Sequence, residues 1–192
     1  MKDLREITEG PGDYPKEVIL KDGTGVTLRP LEERDAPSLV RMFNHLTEDD
    51  RWFLTQDIPA VEEIKGWVTS GDVQRTFSLV ALLEGQILAS ATLLRKYHGA
   101  RNHIGRIEIA VDPGFRKRHL AIWMLLDLLN VAMDLGLEIV VMCLAKRRDA
   151  SFRRHVENLG FKIEAALPGY IMDRGGNHDD LILMSKHIQR RL

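Results

Sequence analysis

Between Arg106 and Leu144 the hydrophobic pattern changes period twice. Arg106 to Val111 alternates, with Ile107, Ile109 and Val111 on one face and Arg106, Glu108 and Ala110 on the other, which predicts a strand. Asp112, Pro113 and Gly114 break it. From about His119 to Leu135 the only polar side chains after the first are Asp127, Asn130 and Asp134, spaced three and four apart. That predicts a helix with one narrow wet stripe and every other side chain buried. Gly136 stops it, and Leu137 to Leu144 is the continuous apolar run of a strand covered on both faces. The stretch reads as a βαβ unit.

The flanking pattern places this unit in a larger sheet. Glu17 to Leu20 and Val26 to Leu31 flank a turn-forming cluster and predict a short hairpin. Asp35 is placed to cap a helix running to about Leu46, with Leu39, Val40, Met42, Phe43 and Leu46 as its stripe. Thr47 is placed to cap a shorter helical segment containing Trp52 and Phe53, and Ala60 to Val68 predicts a third helix. For Trp52, Phe53 and Met42, helical spacing favours core packing over a pocket wall. Phe77 to Leu83 and Gln86 to Leu94, separated by Glu84 and Gly85, form a hairpin signal. Asp149 is placed to cap a helix with Phe152, Val156 and Leu159 facing inward and Gly160 as its stop. Phe161 to Leu167 and Leu181 to His187 read as strands joined through a turn containing Gly175, Gly176 and Asn177. The class is therefore mixed α/β, with a mostly antiparallel sheet and one parallel crossover. Residues 1–15, rich in charge, glycine and proline, are expected to form a loose arm, and residues 16–192 a single domain.

Composition narrows the function classes. The 192 residues are 44% hydrophobic and 29% charged, with a formal net charge of −1, which argues against a dedicated nucleic-acid binder. Local basic patches at Arg116 to His119 and Lys146 to Arg154 keep that class open, with a solvated surface as the alternative. Cys143 is the only cysteine, so no intrachain disulfide is possible; it is expected in the core rather than as a nucleophile. No signal-peptide pattern opens the chain and no apolar run is long enough to span a membrane, so a cytoplasmic location is expected. His103, His178, Asp179 and Asp180 match no metal-ligand spacing, and no metal is expected.

The candidate chemistry lies where the first strand of the βαβ unit hands over to its helix. Arg116, Lys117, Arg118 and His119 crowd basic groups at a helix N-terminus, where free N–H groups and the macrodipole already favour negative charge. A phosphate there would reverse the penalty; a solvated basic loop is the alternative. Glu108, on the preceding strand, reads either as a general base or as a carboxylate paired with Arg106 on the same face.

The chain resembles the GNAT superfamily of acyl-CoA-dependent N-acyltransferases. The resemblance spans roughly Val26 to Lys186 by element order and is sharpest at Glu108-Ile-Ala-Val-Asp-Pro followed by Arg116-Lys-Arg-His-Leu-Ala121, and at Leu159-Gly-Phe161. A weaker likeness to the acetyltransferase domains of bacterial protein-lysine acetyltransferases rests on Leu28-Arg-Pro-Leu, Glu33-Arg-Asp35 and Asp180-Leu-Ile-Leu-Met184. The resemblance implies a GNAT-like fold. It implies acetyl-CoA or another acyl-CoA as cosubstrate, bound by Ile109, Ala110, Val111, Arg116, Lys117, Arg118, His119, Leu120, Ala121 and Phe152, with Glu108 as base. The acceptor it implies is an amine of a small molecule or of a protein lysine; a homodimer is compatible with it, and neither a membrane nor a nucleic acid is implied as partner.

Two positions depart from the family pattern. His119 stands where the family has a central glycine, and Val156 where it has an acidic tyrosine. Tyr170 is a candidate to reach the site instead. These departures leave a second reading open, a catalytically silent member that binds acyl-CoA as a sensor or serves as an interaction module.

Overall fold

The computed structural model describes residues 14–54, 61–69, 76–96 and 98–188; the expected arm lies outside them up to residue 13. One sheet of eight strands runs through the molecule in the order β1-β2-β3-β4-β5-β6-β8-β7. The strands are β1 Lys16–Ile19, β2 Gly25–Pro30, β3 Thr76–Leu83, β4 Gln86–Arg95, β5 Ile104–Val111, β6 Ile139–Ala145, β7 Lys162–Met172 and β8 His178–His187. Every neighbouring pair is antiparallel except β5 with β6, as the sequence pattern predicts. The helices are α1 Ala36–His45, α2 Glu48–Trp52, α3 Val61–Thr69, α4 Leu120–Asp134 and α5 Ala150–Asn158. Among the described residues no helix is long and apolar enough to cross a membrane.

Two apolar cores lie on opposite faces of the sheet. Ile107, with Ile109 and Val111 at its margin, joins Met124, Leu125 and Leu128 of α4 and Val156 of α5 in the larger core. Leu39 and Met42 of α1 and Ile64 of α3 pack on Val80 of β3 and Ile87 of β4 in the smaller one. Strand alternation thus sends Arg106 and Glu108 to the α1 side, away from α4.

The feature that positions the site is the parallel pair. β5 and β6 are in register only at Ile104 with Ile139, Gly105 with Val140 and Arg106 with Val141, after which they part. Gly105 permits this close start, since a Cβ there would lie 2.7 Å from Leu93 Cδ1 and 2.8 Å from Leu137 Cδ1. Beyond Arg106, β5 has no strand partner on its β6 side, and a wedge opens through the sheet.

Several sequence expectations need correction. The stripe on α4 is not wet at Asp127, which is buried beneath Tyr14 and Lys16, its carboxylate 2.6 Å from each of Tyr14 Oη and Lys16 Nζ. Tyr14 is thereby docked against the domain rather than loose. Trp123, expected inside, is 41% exposed and donates from Nε1 to Ile19 O. Asp35 does not cap α1 with its side chain but pairs with Arg29, and Asp149 makes no cap bond to α5; its Oδ2 accepts the Ala145 N–H at 2.8 Å. Strands β7 and β8 run well past the expected ends into Pro168-Gly169 and His178-Asp179-Asp180. Side chains seal that irregular pairing, the Asp180 carboxylate accepting the Gly169 N–H at 3.0 Å.

Candidate active site

A cleft of about 1040 Å³ fills the wedge and continues onto the α1 side of the sheet. Of the residues singled out in the sequence, Glu108, Ile109, Ala110, Val111, Arg116, Lys117, His119, Leu120, Ala121 and Phe152 all line it. Arg118 does not. Its guanidinium turns to Asp22, 2.6 Å away, and stacks over Phe115.

At one end the chain from Asp112 to His119 wraps the N-terminus of α4. Asp112 Oδ1 accepts the Gly114 N–H at 2.8 Å and sets a tight 3₁₀ turn. Lys117 and His119 then adopt left-handed backbone, φ 60° and 68°. His119 occupies the N-cap position of α4 without a side-chain cap bond, and Leu120 and Ala121 of the first turn line the cleft. The backbone conformation that favours glycine is thus kept by a residue with a side chain, at a cost of about 1–2 kcal/mol. The imidazole lies against that of His155, ring centroids 5.6 Å apart, and His155 Nδ1 is 2.9 Å from Ser151 O.

Arg116 is anchored by partners that sequence reasoning missed. Its Nε donates to Val111 O, and its Nη2 donates to Asp50 at 2.7 Å. Asp50 is buried at the start of α2, where it forms a capping box with Thr47 and also accepts Arg148 Nη2 at 2.8 Å. Burial pushes the Asp50 carboxyl up, but hydrogen bonds from Arg116, Thr47 and Arg148 outweigh it and hold the group well below the usual carboxylate range. Asp50 is therefore a fixed anion that ties α2 to both sides of the wedge. The Thr47-x-x-Asp50 spacing signalled the cap, but nothing in the sequence linked it to Arg116, 66 residues away.

The α2 segment bridges the cleft. Trp52 Nε1 donates to Met172 O at 2.7 Å, Glu48 pairs with Arg174, and Arg148 stacks on Phe53 at 4.7 Å. Trp52 and Phe53 therefore line the cleft instead of packing inside, whereas Met42 is core. Beneath them on β5, Arg106 Nη2 and Glu108 Oε1 are 2.9 Å apart, so the ion pair read from the strand alternation is present. Both side chains are about a third exposed, at 40% and 34%.

The remaining candidates fall as follows. Val156 is fully buried in the larger core, while its neighbour His155 lines the cleft. Tyr170, on β7 and not in a loop, is 68% exposed and lines the cleft as well. Cys143 is half-buried and also faces it. The second basic patch is largely committed: Lys146 pairs with Asp180, Arg147 with Asp179 and Arg148 with Asp50. His178 Nδ1 meets Gly169 O, and among the described residues no group of three or more His, Cys, Asp or Glu is placed to hold a metal ion.

Residues 39–161 match the sequence model of the acetyltransferase (GNAT) family. Solved structures share the fold. The acetyltransferase of GNAT family from Streptococcus pneumoniae is 22% identical with a TM-score of 0.75, over 85% of this chain and 99% of that one. The GNAT domain of S. lividans PAT is 16% identical with a TM-score of 0.73, over 94% and 100%. The protein yncA from Salmonella typhimurium, solved with its cofactor acetyl-CoA, is 19% identical with a TM-score of 0.73, over 86% and 95%. No curated protein sequence matches the chain. With the family model matched over most of its length and the split sheet in place, the chain belongs to the acetyltransferase (GNAT) family.

Proposed function

We propose that the protein transfers an acetyl group from acetyl-CoA directly to a primary amine, with Glu108 as the base. The observation that carries this reading is the wedge, which joins the N-terminus of α4 at one end to Glu108 on the acceptor side. An extended amide-bearing arm laid along β5 would meet the backbone of Ile109 to Val111, whose β6 side has no strand partner. The pyrophosphate would lie on the first-turn N–H groups of α4 with Arg116 and Lys117 beside it. Among the described residues Arg116 Nη1 has no partner, which leaves a donor for a phosphate oxygen. Glu108 would take the proton of the attacking ammonium, directly or through water, a contribution of about 10² to 10⁴-fold.

The sensor reading rests on His119 and Val156. Against a blocked coenzyme site stands the backbone at His119, which holds the conformation a glycine would supply there.

Calorimetric titration with acetyl-CoA, with desulfo-CoA and free phosphate as controls, followed by an amine screen, tests the proposal. Saturable binding with turnover that falls at least 100-fold in Glu108→Gln is expected. Binding without turnover of any amine would favour the sensor, and absence of binding by the folded protein would favour an interaction module.

A further inference from the structure

We infer that the acceptor is a free α-amino acid with a large apolar side chain, recognised at both of its charges by Arg106 and Glu108; this rests on the acyl-transfer reading above. The two side chains stand on one face of β5 and touch through a single contact, Nη2 to Oε1 at 2.9 Å. That contact leaves the second oxygen of Glu108. Among the described residues it also leaves Arg106 Nη1 without a partner, on a side chain that is 40% exposed. A guanidinium nitrogen in that position can donate to an anion in the cleft.

The charges choose among amines. The Arg106–Glu108 pair is neutral, so a lone ammonium drawn to Glu108 is repelled at close range by the guanidinium. A zwitterion laid head to tail over the pair meets attraction at both ends. Its ammonium faces the free Glu108 oxygen, and its carboxylate faces the guanidinium and takes the Nη1 donor. Among the described residues the other carboxylates lining the cleft are already used, Asp50 by Arg116 and Arg148, and Asp149 by the Ala145 N–H and Arg148. A polyamine or aminoglycoside would find no second uncommitted anion among them. A protein lysine ε-amine carries no neighbouring carboxylate for the Arg106 guanidinium, and it would have to reach in beneath the Trp52–Met172 bridge.

The walls set the side chain. Phe43, Leu46, Phe53, Leu54 and Leu94 line the same cleft and outnumber the polar β4 residues Ser90 and Thr92 there, the latter opposite Glu108, which favours phenylalanine, methionine or leucine. In the reaction the α-ammonium loses a proton to Glu108, and its nitrogen forms the N–C bond to the thioester carbon. The C–S bond breaks, coenzyme A leaves as the thiol with one proton, and one proton is released per N-acetyl amino acid.

The test compares L-phenylalanine with phenethylamine, the same molecule without its carboxylate, and with spermidine and Nα-acetyl-lysine amide. Coenzyme A release is measured on the full chain, after calorimetry has established acetyl-CoA binding. A kcat/KM for phenylalanine about 100-fold above that for phenethylamine is expected, the value of a charge-assisted contact between the substrate carboxylate and the guanidinium. Arg106→Met should collapse that ratio toward one, mainly through KM, and Arg106→Lys should restore part of it. Because the ratio is first read on the natural protein, a variant that fails to fold does not spoil the test. Phenethylamine or the lysine amide matching phenylalanine would overturn the inference while acyl transfer stands. Failure to bind acetyl-CoA would overturn the acyl-transfer reading itself, and the inference with it.

Discussion

Replacing Asp50 with asparagine tests whether this buried carboxylate holds the cleft together. Asparagine keeps the shape and one oxygen but removes the charge that Arg116, Arg148 and Thr47 all engage. Hydrogen bonds to a charged group contribute about 1.5–3 kcal/mol each. Here both arginines are more than a third exposed, at 39% and 36%, so water recovers much of that and about 1 kcal/mol each is the fairer figure. Loss of the negative charge from the first turn of α2 adds about 0.5 kcal/mol. The sum, about 2–3 kcal/mol, corresponds to a fall of about 5–10 °C in the melting temperature of a chain this size. The pH dependence has a definite sign. The folded pKa of Asp50 is depressed, so its contribution is complete above the ordinary carboxylate pKa of about 3.9 and is lost as pH falls below that toward the folded value. Thermal melts followed by circular dichroism at pH 7, 5, 4 and 3 should show a constant gap between the two proteins down to pH 5, then a narrowing one. Asp35, Asp179 and Asp180 are also held below the usual range, but both proteins share them, so subtraction isolates Asp50. A gap under 2 °C at pH 7, or one unchanged at pH 3, would refute the reasoning.

Other perturbations bear on the coenzyme end and on the chemistry. Arg116→Ala should weaken acetyl-CoA binding by about 10 to 100-fold in calorimetry, the value of one or two charge-assisted hydrogen bonds, whereas Arg118→Ala, whose partner is Asp22, should stay within about twofold. Equal losses in the two variants would mean that loop charge, not contact, sets affinity. His119→Gly removes left-handed strain and should raise the melting temperature by about 1–3 °C, with acetyl-CoA binding as tight or tighter; a drop of several degrees would show that the ring contact with His155 outweighs the strain. Tyr170→Phe should lower kcat less than about tenfold if the tyrosine only walls the cleft, and a loss near that of Glu108→Gln would make it the acid.

Much of the fold was legible because its core elements state their period locally. Strand β5 alternates and α4 is apolar almost all round, and both lie within a residue or two of their expected limits. Where the sequence misled, a distant segment had intervened. Asp127 reads as a solvent-facing residue on a helix, and only Lys16 of β1 and Tyr14 just before it, more than 100 positions away, bury it. The ends of β7 and β8 read as loop because Pro168, Gly169, Asp179 and Asp180 disfavour strands. There the pairing survives because side chains bond the backbone across the bulge. Site residues on β5 and the following loop could be found from one contiguous stretch. Asp50, Trp52 and Phe53 could not, since their role depends on how α2 crosses to Arg116, Arg148 and Met172.

The two departures from the family pattern differ in kind, and that difference bears on which reading of the site is stronger. At His119 the family's glycine matters for a backbone conformation, and the conformation is present although the residue is not. The cost is strain, which binding of an anion at the α4 N-terminus can offset. At Val156 the family's tyrosine matters for a proton, and a buried valine supplies none. A missing proton donor costs least where the leaving group is stable without it. A thiol has an ordinary pKa of about 8.5, so a thiolate can depart near neutral pH and take its proton from water. An ammonium acceptor, with an ordinary pKa above neutral, cannot attack until a base has taken its proton. Loss of the acid would therefore be survivable where loss of the base would not, and Glu108 lines the cleft. With Glu108 as the proposed base, the chain would keep the half of the chemistry that matters most for acyl transfer.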